Sequence, residues 1–327
     1  MTLQGDAVHY TAGMNVLHVA VAVIADDQSR ILLTRRHHSV HQGGLWEFPG
    51  GKLEPRENLA EALRRECREE LGIEVTVHRP LIGIRHDYPD RRVLLDVHRV
   101  TEYQGEPRGL EGQPLAWVAP GDLDDYPMPA ADVPIVNAIR LPDRYLITPA
   151  LVGDRFVFLD ELHASLERGV RLVQFRVRSS SDPRHRLAAE VLRLCRRAGA
   201  RMLINQDIDL ARDLEADGVH LKSAQLNELA ERPAGLDWVA ASCHNAADLE
   251  RVMDLGVDFA VLSPVNPTTS HSDAVPLGWE AFAELAAQAR VPVYALGGVG
   301  PADLPQAWQA GAQGVAAISG LWGGGVA

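Results

Sequence analysis

The 327-residue chain is 46% hydrophobic and 23% charged, the balance of a soluble globular protein with core enough for two ordinary domains or one large barrel, and suggests neither a fibre nor a disordered chain. Its net charge of -12 excludes broad attraction to a nucleic-acid polymer or an anionic membrane surface, since both need a basic excess. A nucleotide bridged to acidic groups by metal ions remains open.

Cys67, Cys195 and Cys243 stand at no paired spacing, which suits a reducing compartment and supports neither a disulfide framework nor a zinc site. No N-terminal basic-then-apolar signal and no long uncharged apolar run is present, so the expected location is the cytoplasm. In chain order, residues 16–24 (VLHVAVAVI) and 31–36 (ILLTRR) predict strands around the turn DDQSR. A Gly/Pro-rich segment, FPGGKLEP, then leads into a helix that ends at Gly72. Strand-like alternation resumes in IEVTV, RVLLDVHRV and LAWV, and PIVNAIR is helical. From about Tyr145 the rhythm changes to short apolar strands separated by helical stretches: YLIT, RLVQFRV, RMLIN, GVHL, WVAASC, DFAVLS, PVYAL and GVAAI. Eight such strands predict a parallel (β/α)8 barrel of the TIM type, and an α/β class for the whole chain. The boundary is expected in LPDR, residues 141–144, dividing a domain over 1–140 from one over 144–327. SGLWGGGVA is too short and glycine-rich for a full closing helix, which leaves the barrel incomplete on one side or covered by the first domain.

The first helix is the most informative segment. Asn58 with Glu61 forms a variant capping box, and Gly72 supplies the stop. At 100° per residue Leu59, Leu63, Cys67 and Leu71 make one buried stripe, with Glu66, Glu69 and Glu70 together at its edge. Ion pairs at i, i+4 account for Glu61 and Arg65, but a few tenths of a kcal/mol per pair does not account for three acids crowded beside an apolar stripe. A hard cation does, because Mg²⁺ takes carboxylate oxygens and keeps positions for phosphates.

Gly51, Glu57 and the run Arg65-Glu66-Cys67-Arg68-Glu69-Glu70-Leu71-Gly72-Ile73 resemble the Nudix box at every defined position. TRR (34–36), WEFPGGK (46–52), YPDR (88–91), EGQP (111–114) and PAADVP (129–134) extend the resemblance to the MutT-type branch, which hydrolyses oxidised guanine nucleoside triphosphates. The resemblance implies an α/β/α sandwich with a mixed sheet. It also implies Mg²⁺ or Mn²⁺ held by the Gly50 carbonyl with Glu66, Glu69, Glu70 and Glu111, and phosphate contacts from Arg36 and Lys52. Attack would fall on the β-phosphorus, releasing a monophosphate and pyrophosphate. Glu66 and Glu69 are the candidate bases and Glu57 braces the loop through Arg65. Where MutT-type enzymes read the purine with an asparagine, this chain has Asp132. That residue can accept from a guanine edge when ionised, donate to an oxo group when protonated by burial, or cap the following helix. His37, His38 and His41 flank a Gly-rich loop without acidic partners and read as solvated, while Trp46 and Phe48 read as core.

YLITP, QFRVR, LINQDIDLA, ADGVHL, SCHNAADL, LSPVNPTT, ALGGV and AAISGLW resemble, in order, the thiamine phosphate synthase and TenI family. Gly297, Gly298 and Ser319 fall where barrels bind phosphate through backbone amides. Gln174, Arg176, Asn205, His220 and His244 fall at strand C-terminal ends, where side chains meet a ligand. The synthases' Asn-Asp and a further aspartate are replaced here by Asn205-Gln206 and Lys222-Ser223-Ala224-Gln225, and the lysine after strand six is missing from PTTSHSD. Amides hold Mg²⁺ poorly. The resemblance therefore implies a TenI-like site for a phosphorylated thiazole, with His244 as proton shuttle, rather than a synthase. Two rival readings stand beside 8-oxo-dGTP hydrolysis: clearance of damaged thiamine pyrophosphate or the pyrimidine pyrophosphate, and a barrel that is only a binding or scaffold module.

Overall fold

The computed structural model describes residues 16–39, 42–87, 92–177, 181–268 and 275–323. His41, the YPDR segment and most of PTTSHSD lie outside the described residues.

In the first domain β1 (Val16–Ile24), β4 (Gly50–Lys52), β5 (Glu74–Asp87) and β6 (Arg92–Gln104) form one sheet in the order β4-β1-β6-β5, and β3 (Trp46–Glu47), β2 (Ile31–Arg35) and β7 (Leu115–Val118) form a second. The first sheet is mixed, because β1 runs parallel to β6 and antiparallel to β4. Alternation along β1 explains the layers. Ala20, Ala22 and Ile24 pack under helix α1 (Leu59–Leu71) with Leu63, Cys67 and Leu71, while Val21 and Val23 face helix α2 (Val133–Arg140) with Ile135, Val136 and Ile139. The result is the expected α/β/α sandwich. The α1 termini also follow the sequence: Asn58 Oδ1 accepts from the Glu61 N–H at 3.0 Å, Glu61 Oε2 accepts from the Asn58 N–H at 2.9 Å, and left-handed Gly72 ends the helix.

Two elements differ from expectation. IEVTV continues as a 14-residue strand through Pro80, which alternation alone does not predict, because register shifts at Val75/Val77, Val77/His78 and Pro80/Ile82 break the period and accommodate the proline. Asp132 does not cap α2. It has helical φ and ψ, and its side chain makes no capping bond.

The second domain is a closed eight-stranded parallel barrel. Its strands are β8 (Arg144–Ile147), β9 (Leu172–Phe175), β10 (Arg201–Asn205), β11 (Gly218–Leu221), β12 (Trp238–Cys243), β13 (Phe259–Leu262), β14 (Val293–Leu296) and β15 (Gly314–Ala317). Helices α3 (Arg155–Glu167), α4 (Ser181–Arg197), α5 (Ile208–Asp213), α6 (Ser223–Glu228), α7 (Ala246–Leu255), α8 (Gly278–Ala286) and α9 (Leu304–Gln309) surround it. Tyr145, Leu203, Phe259 and Tyr294 are fully buried along the axis. The last strand pairs with the first, so the barrel is complete. In place of a closing helix the tail docks on α3: Leu321 is buried, Trp322 stacks 4.7 Å from Phe158, and the Gly323 N–H donates to Ser165 Oγ at 2.8 Å. No helix among the described residues is long and apolar enough to cross a membrane.

Candidate active sites of the two domains

The α1 acids are organised by one guanidinium. Arg65 donates to both oxygens of Glu57 at 2.8 and 2.9 Å, to Glu66 Oε1 at 2.8 Å, to Glu69 Oε2 at 3.2 Å and to the Lys52 carbonyl at 3.0 Å. Those bonds hold the Glu57 carboxyl down to about 2, helped by the Glu54 N–H at 2.9 Å, so both of its oxygens are tied to Arg65 and the loop before α1. Glu70 sits differently. Its Oε2 accepts from the Gly50 N–H at 3.3 Å, and burial first, then the charge of Glu66, push its carboxyl up to about 8, with Glu47 and Glu111 adding to the effect. Gly51 leaves room for the Glu66 carboxylate where it stands, because a Cβ there would lie 2.1 Å from Glu66 Oε1 and push it aside.

Glu66, Glu69, Glu70 and Glu111 carry only oxygen donors, the kind a hard divalent cation takes. Among the described residues no three such side chains already stand at metal-holding geometry. Arg65 draws Glu66 and Glu69 to itself while Gly50 holds Glu70.

A second acidic group adjoins the cluster. Asp132 is 7% exposed, and its carboxyl, without a hydrogen-bond partner among the described residues, is pushed up to about 7 by burial and by Glu47, against the opposing pull of Arg36. Arg36 and Glu47 are ion-paired, and burial raises the Glu47 carboxyl above its ordinary value. The charge of Glu47 raises both the Asp132 and the Glu70 carboxyls, so it lies within electrostatic reach of each. The neighbouring Trp46 packs on the first-domain core, edge-on to Tyr126 at 5.3 Å.

In the barrel a cavity of about 490 Å³ opens at the strand C-terminal ends and is lined by Arg176, His244, Ser263, Gly297, Gly298 and Ser319, among others. Gly297 has φ +100°, and a Cβ there would lie 2.7 Å from Pro264 Cβ, so a side chain is excluded by both strain and space. His244 Nδ1 lies 2.8 Å from the Ser263 carbonyl. A carbonyl only accepts, so in the neutral ring Nδ1 carries the hydrogen and Nε2 keeps the lone pair.

Residues 144–321 match the family model described as thiamine monophosphate synthase (TMP-TENI), and residues 20–138 match the NUDIX domain. The chain is a fusion of a MutT-like NUDIX domain and a thiamine phosphate synthase/TenI barrel. Among its relatives, a putative thiamine-phosphate synthase 2 of Aquifex aeolicus is 34% identical over 184 residues, 55% of this chain and 98% of that protein. An 8-oxo-dGTP diphosphatase of Proteus vulgaris is 46% identical over 90 residues, 28% of this chain and 80% of that protein. A CTP pyrophosphohydrolase of Escherichia coli is 39% identical over 125 residues, 38% and 92% of the two chains.

In the NUDIX domain the structure brings Gly50, Glu57, Glu66, Glu69, Glu70 and Glu111 to one place, but sets Arg36 against Glu47 and Asp132 rather than among the α1 acids. Lys52 is exposed, with its carbonyl on Arg65. Phe48 is core and Trp46 only half buried. Glu47 was missed by sequence reasoning. The one available signal was an acid between two aromatics in Trp46-Glu47-Phe48.

In the TenI-type barrel Arg176, His244, Gly297, Gly298 and Ser319 share the cavity, whereas Gln174, Asn205 and His220 do not line it. Gln174 is buried beneath it, with Nε2 on the Tyr145 hydroxyl at 3.4 Å. His220 bridges Tyr145 and Ser242 at 3.1 and 2.8 Å, and burial pulls its ring down to about 3. Both are satisfied core polar groups, because inward-facing strand positions below the last residue point into the packed axis. Asn205 faces a separate hollow with Arg184, Gln206 and Asp207.

Proposed function

We propose that the NUDIX domain is a divalent-metal-dependent pyrophosphohydrolase of purine nucleoside triphosphates, with 8-oxo-dGTP as substrate, and that the barrel binds a phosphorylated thiazole-type ligand without synthase activity. The observation that carries the first half is the gathering of Glu57, Glu66 and Glu69 around Arg65, with Glu70 beside them on Gly50 and the buried Asp132 carboxyl within reach of the same Glu47 charge. An oxidised guanine offers an oxo acceptor and an added N–H donor on one edge. A carboxylic acid both donates and accepts, so neutral Asp132 complements that edge, while the Arg36–Glu47 pair fixes the wall beside it.

Mg²⁺ or Mn²⁺ held by Glu66, Glu69, Glu70, Glu111 and the Gly50 carbonyl would neutralise polyphosphate charge and acidify a water for attack on the β-phosphorus. Arg65 keeps Glu66 and Glu69 on one face, and Glu57 keeps Arg65 in place. Glu69, with 58% of its side chain exposed and only Oε2 tied to Arg65, could hold the metal through one oxygen and take the proton of that water on the other. Lys52 supplies a positive charge at the exposed rim for the polyphosphate.

For the barrel, the amides of Gly297 and Gly298 with Ser319 suit a phosphate, and His244 Nε2 suits a proton shuttle. Gln225, which replaces a synthase carboxylate, is committed to the fold: its Nε2 donates to the Gln206 carbonyl at 3.0 Å and its Oε1 accepts from the Lys222 N–H at 3.1 Å. The deciding experiment is pyrophosphate release by the purified full chain with Mg²⁺ over 8-oxo-dGTP, dGTP, CTP and thiamine pyrophosphate. The reading expects the highest kcat/KM for 8-oxo-dGTP, and equal or higher values for any other substrate overturn it.

A further inference from the structure

The C-terminal end of α2 poses an accounting problem that the barrel solves. A helix leaves its last carbonyls without internal partners, and those of α2 lie at the junction of the two domains. The Asn137 carbonyl accepts from the Leu141 N–H at 3.1 Å. The carbonyls of Ala138 and Leu141 both accept from Gln313 Nε2, at 3.0 and 2.9 Å, and that of Arg140 accepts from Arg201 Nη1 at 2.8 Å. The Ile139 carbonyl is met by a side chain of its own domain, Arg99 Nη2 at 3.4 Å. Gln313 precedes β15 and Arg201 opens β10, so both stand at the strand N-terminal face, away from the barrel cavity. Gln313 is 2% exposed and Arg201 stacks on Trp238 at 5.1 Å, so neither donor is a mobile surface group. A cation at a helix C-terminus also complements the helix dipole. Alongside, the Arg79 guanidinium of β5 lies over the ring of Trp308 of α9, 4.1 Å from its centre, and the Tyr294 hydroxyl donates to the Pro142 carbonyl.

We propose that the barrel acts as the C-terminal cap of α2, and that Gln313 and Arg201 are thereby positioning residues for the NUDIX base pocket. The mechanical link is short. Asp132 is the residue immediately before α2, the helix is only eight residues long, and Asp132 has no side-chain cap to hold it independently. The Asp132 N–H is held by the Pro129 carbonyl at 2.9 Å and its place otherwise follows the helix, whose apolar face packs in its own domain while three of its terminal carbonyls, those of Ala138, Arg140 and Leu141, are held by the other. This inference rests on the reading of Asp132 as the base-recognising group, and it gives the fused barrel a role in NUDIX specificity that does not depend on any barrel ligand.

The test uses the full chain with Gln313→Ala, Gln313→Glu, Arg201→Ala and Arg201→Lys. Gln313→Glu keeps the shape but sets acceptors against two carbonyls, so a role of filling space spares it and a capping role does not. Arg201→Lys keeps a cation and should restore much of what Arg201→Ala loses. Hydrogen exchange is read over residues 133–141 against α1, residues 59–71, and KM and kcat are measured for 8-oxo-dGTP and for thymidine triphosphate. Capping predicts about tenfold faster exchange in α2, as for loss of one or two buried hydrogen bonds, with α1 unchanged. The KM for 8-oxo-dGTP should rise about tenfold at similar kcat, and thymidine triphosphate turnover should stay constant. Unchanged α2 exchange in both Gln313→Glu and Arg201→Ala overturns the cap, and faster exchange with unchanged KM overturns the positioning role. Should a Gln313 variant fail to fold, the Arg201 pair carries the same comparison. If the unmodified chain hydrolyses no purine nucleotide, the proposed function falls, while α2 exchange still decides the cap.

Discussion

Replacing Asp132 with asparagine tests the base pocket through stability before any substrate is added. Burial and Glu47 raise the carboxyl from its ordinary 3.8 to about 7, so between those values the folded chain keeps a proton that the unfolded chain has lost. The sign follows from linkage. The contribution is complete below about pH 3.8 and is lost as pH rises to about 7. An assay between pH 5 and pH 8 captures about two pH units of that window, at about 1.4 kcal/mol each, or about 3 kcal/mol. An asparagine side chain never ionises, so the Asp132→Asn variant lacks this slope while keeping the size of the side chain. Urea unfolding of both proteins in excess chelator, at pH 5 and pH 8, should show the unmodified chain losing about 2–3 kcal/mol more than the variant across that interval. Preference for 8-oxo-dGTP over dGTP should fall above pH 7 in the unmodified chain and stay level in the variant, whose amide still donates and accepts. Parallel stability profiles for the two proteins would refute the argument, because the buried carboxyl would then not be carrying its proton.

Glu69→Gln should lower kcat roughly a hundredfold or more with little change in stability, since the side chain is largely exposed; full activity in the variant, or in excess chelator, counts against the metal site. Gly51→Ala should depress kcat by forcing the Glu66 carboxylate aside, given the 2.1 Å separation a Cβ would impose, and a crystal structure of the variant with Glu66 unmoved and normal turnover would show the close approach to be dispensable. His244→Ala should spare calorimetric binding of thiazole phosphate while abolishing any tautomerase activity, because Nε2 faces no anchoring partner among the described residues. Robust thiamine phosphate formation by the unmodified chain would show that the side chains of Gln206 and Gln225 do not prevent synthesis.

Much of this architecture was legible before any coordinates, and for local reasons. Capping, the stripe through Leu63, Cys67 and Leu71, and the edge position of Glu66, Glu69 and Glu70 all follow from 3.6-residue periodicity within one short segment. The alternation of Ala20 to Ile24 and the eight apolar runs after Tyr145 are likewise local patterns, which is why the layers and the closed barrel follow from them. Tertiary structure alone decided the rest, because it depends on what distant segments place around a group. Asp132 looks the same in sequence whether it caps a helix or is buried bare beside Glu47. Gln174 and His220 lie at strand positions that resemble ligand contacts, and only the depth of the barrel axis makes them core. Gln313 and Arg201 stand 112 residues apart in sequence, and converge on the end of α2 only because strands β10 and β15 belong to one closed barrel seated beneath that helix.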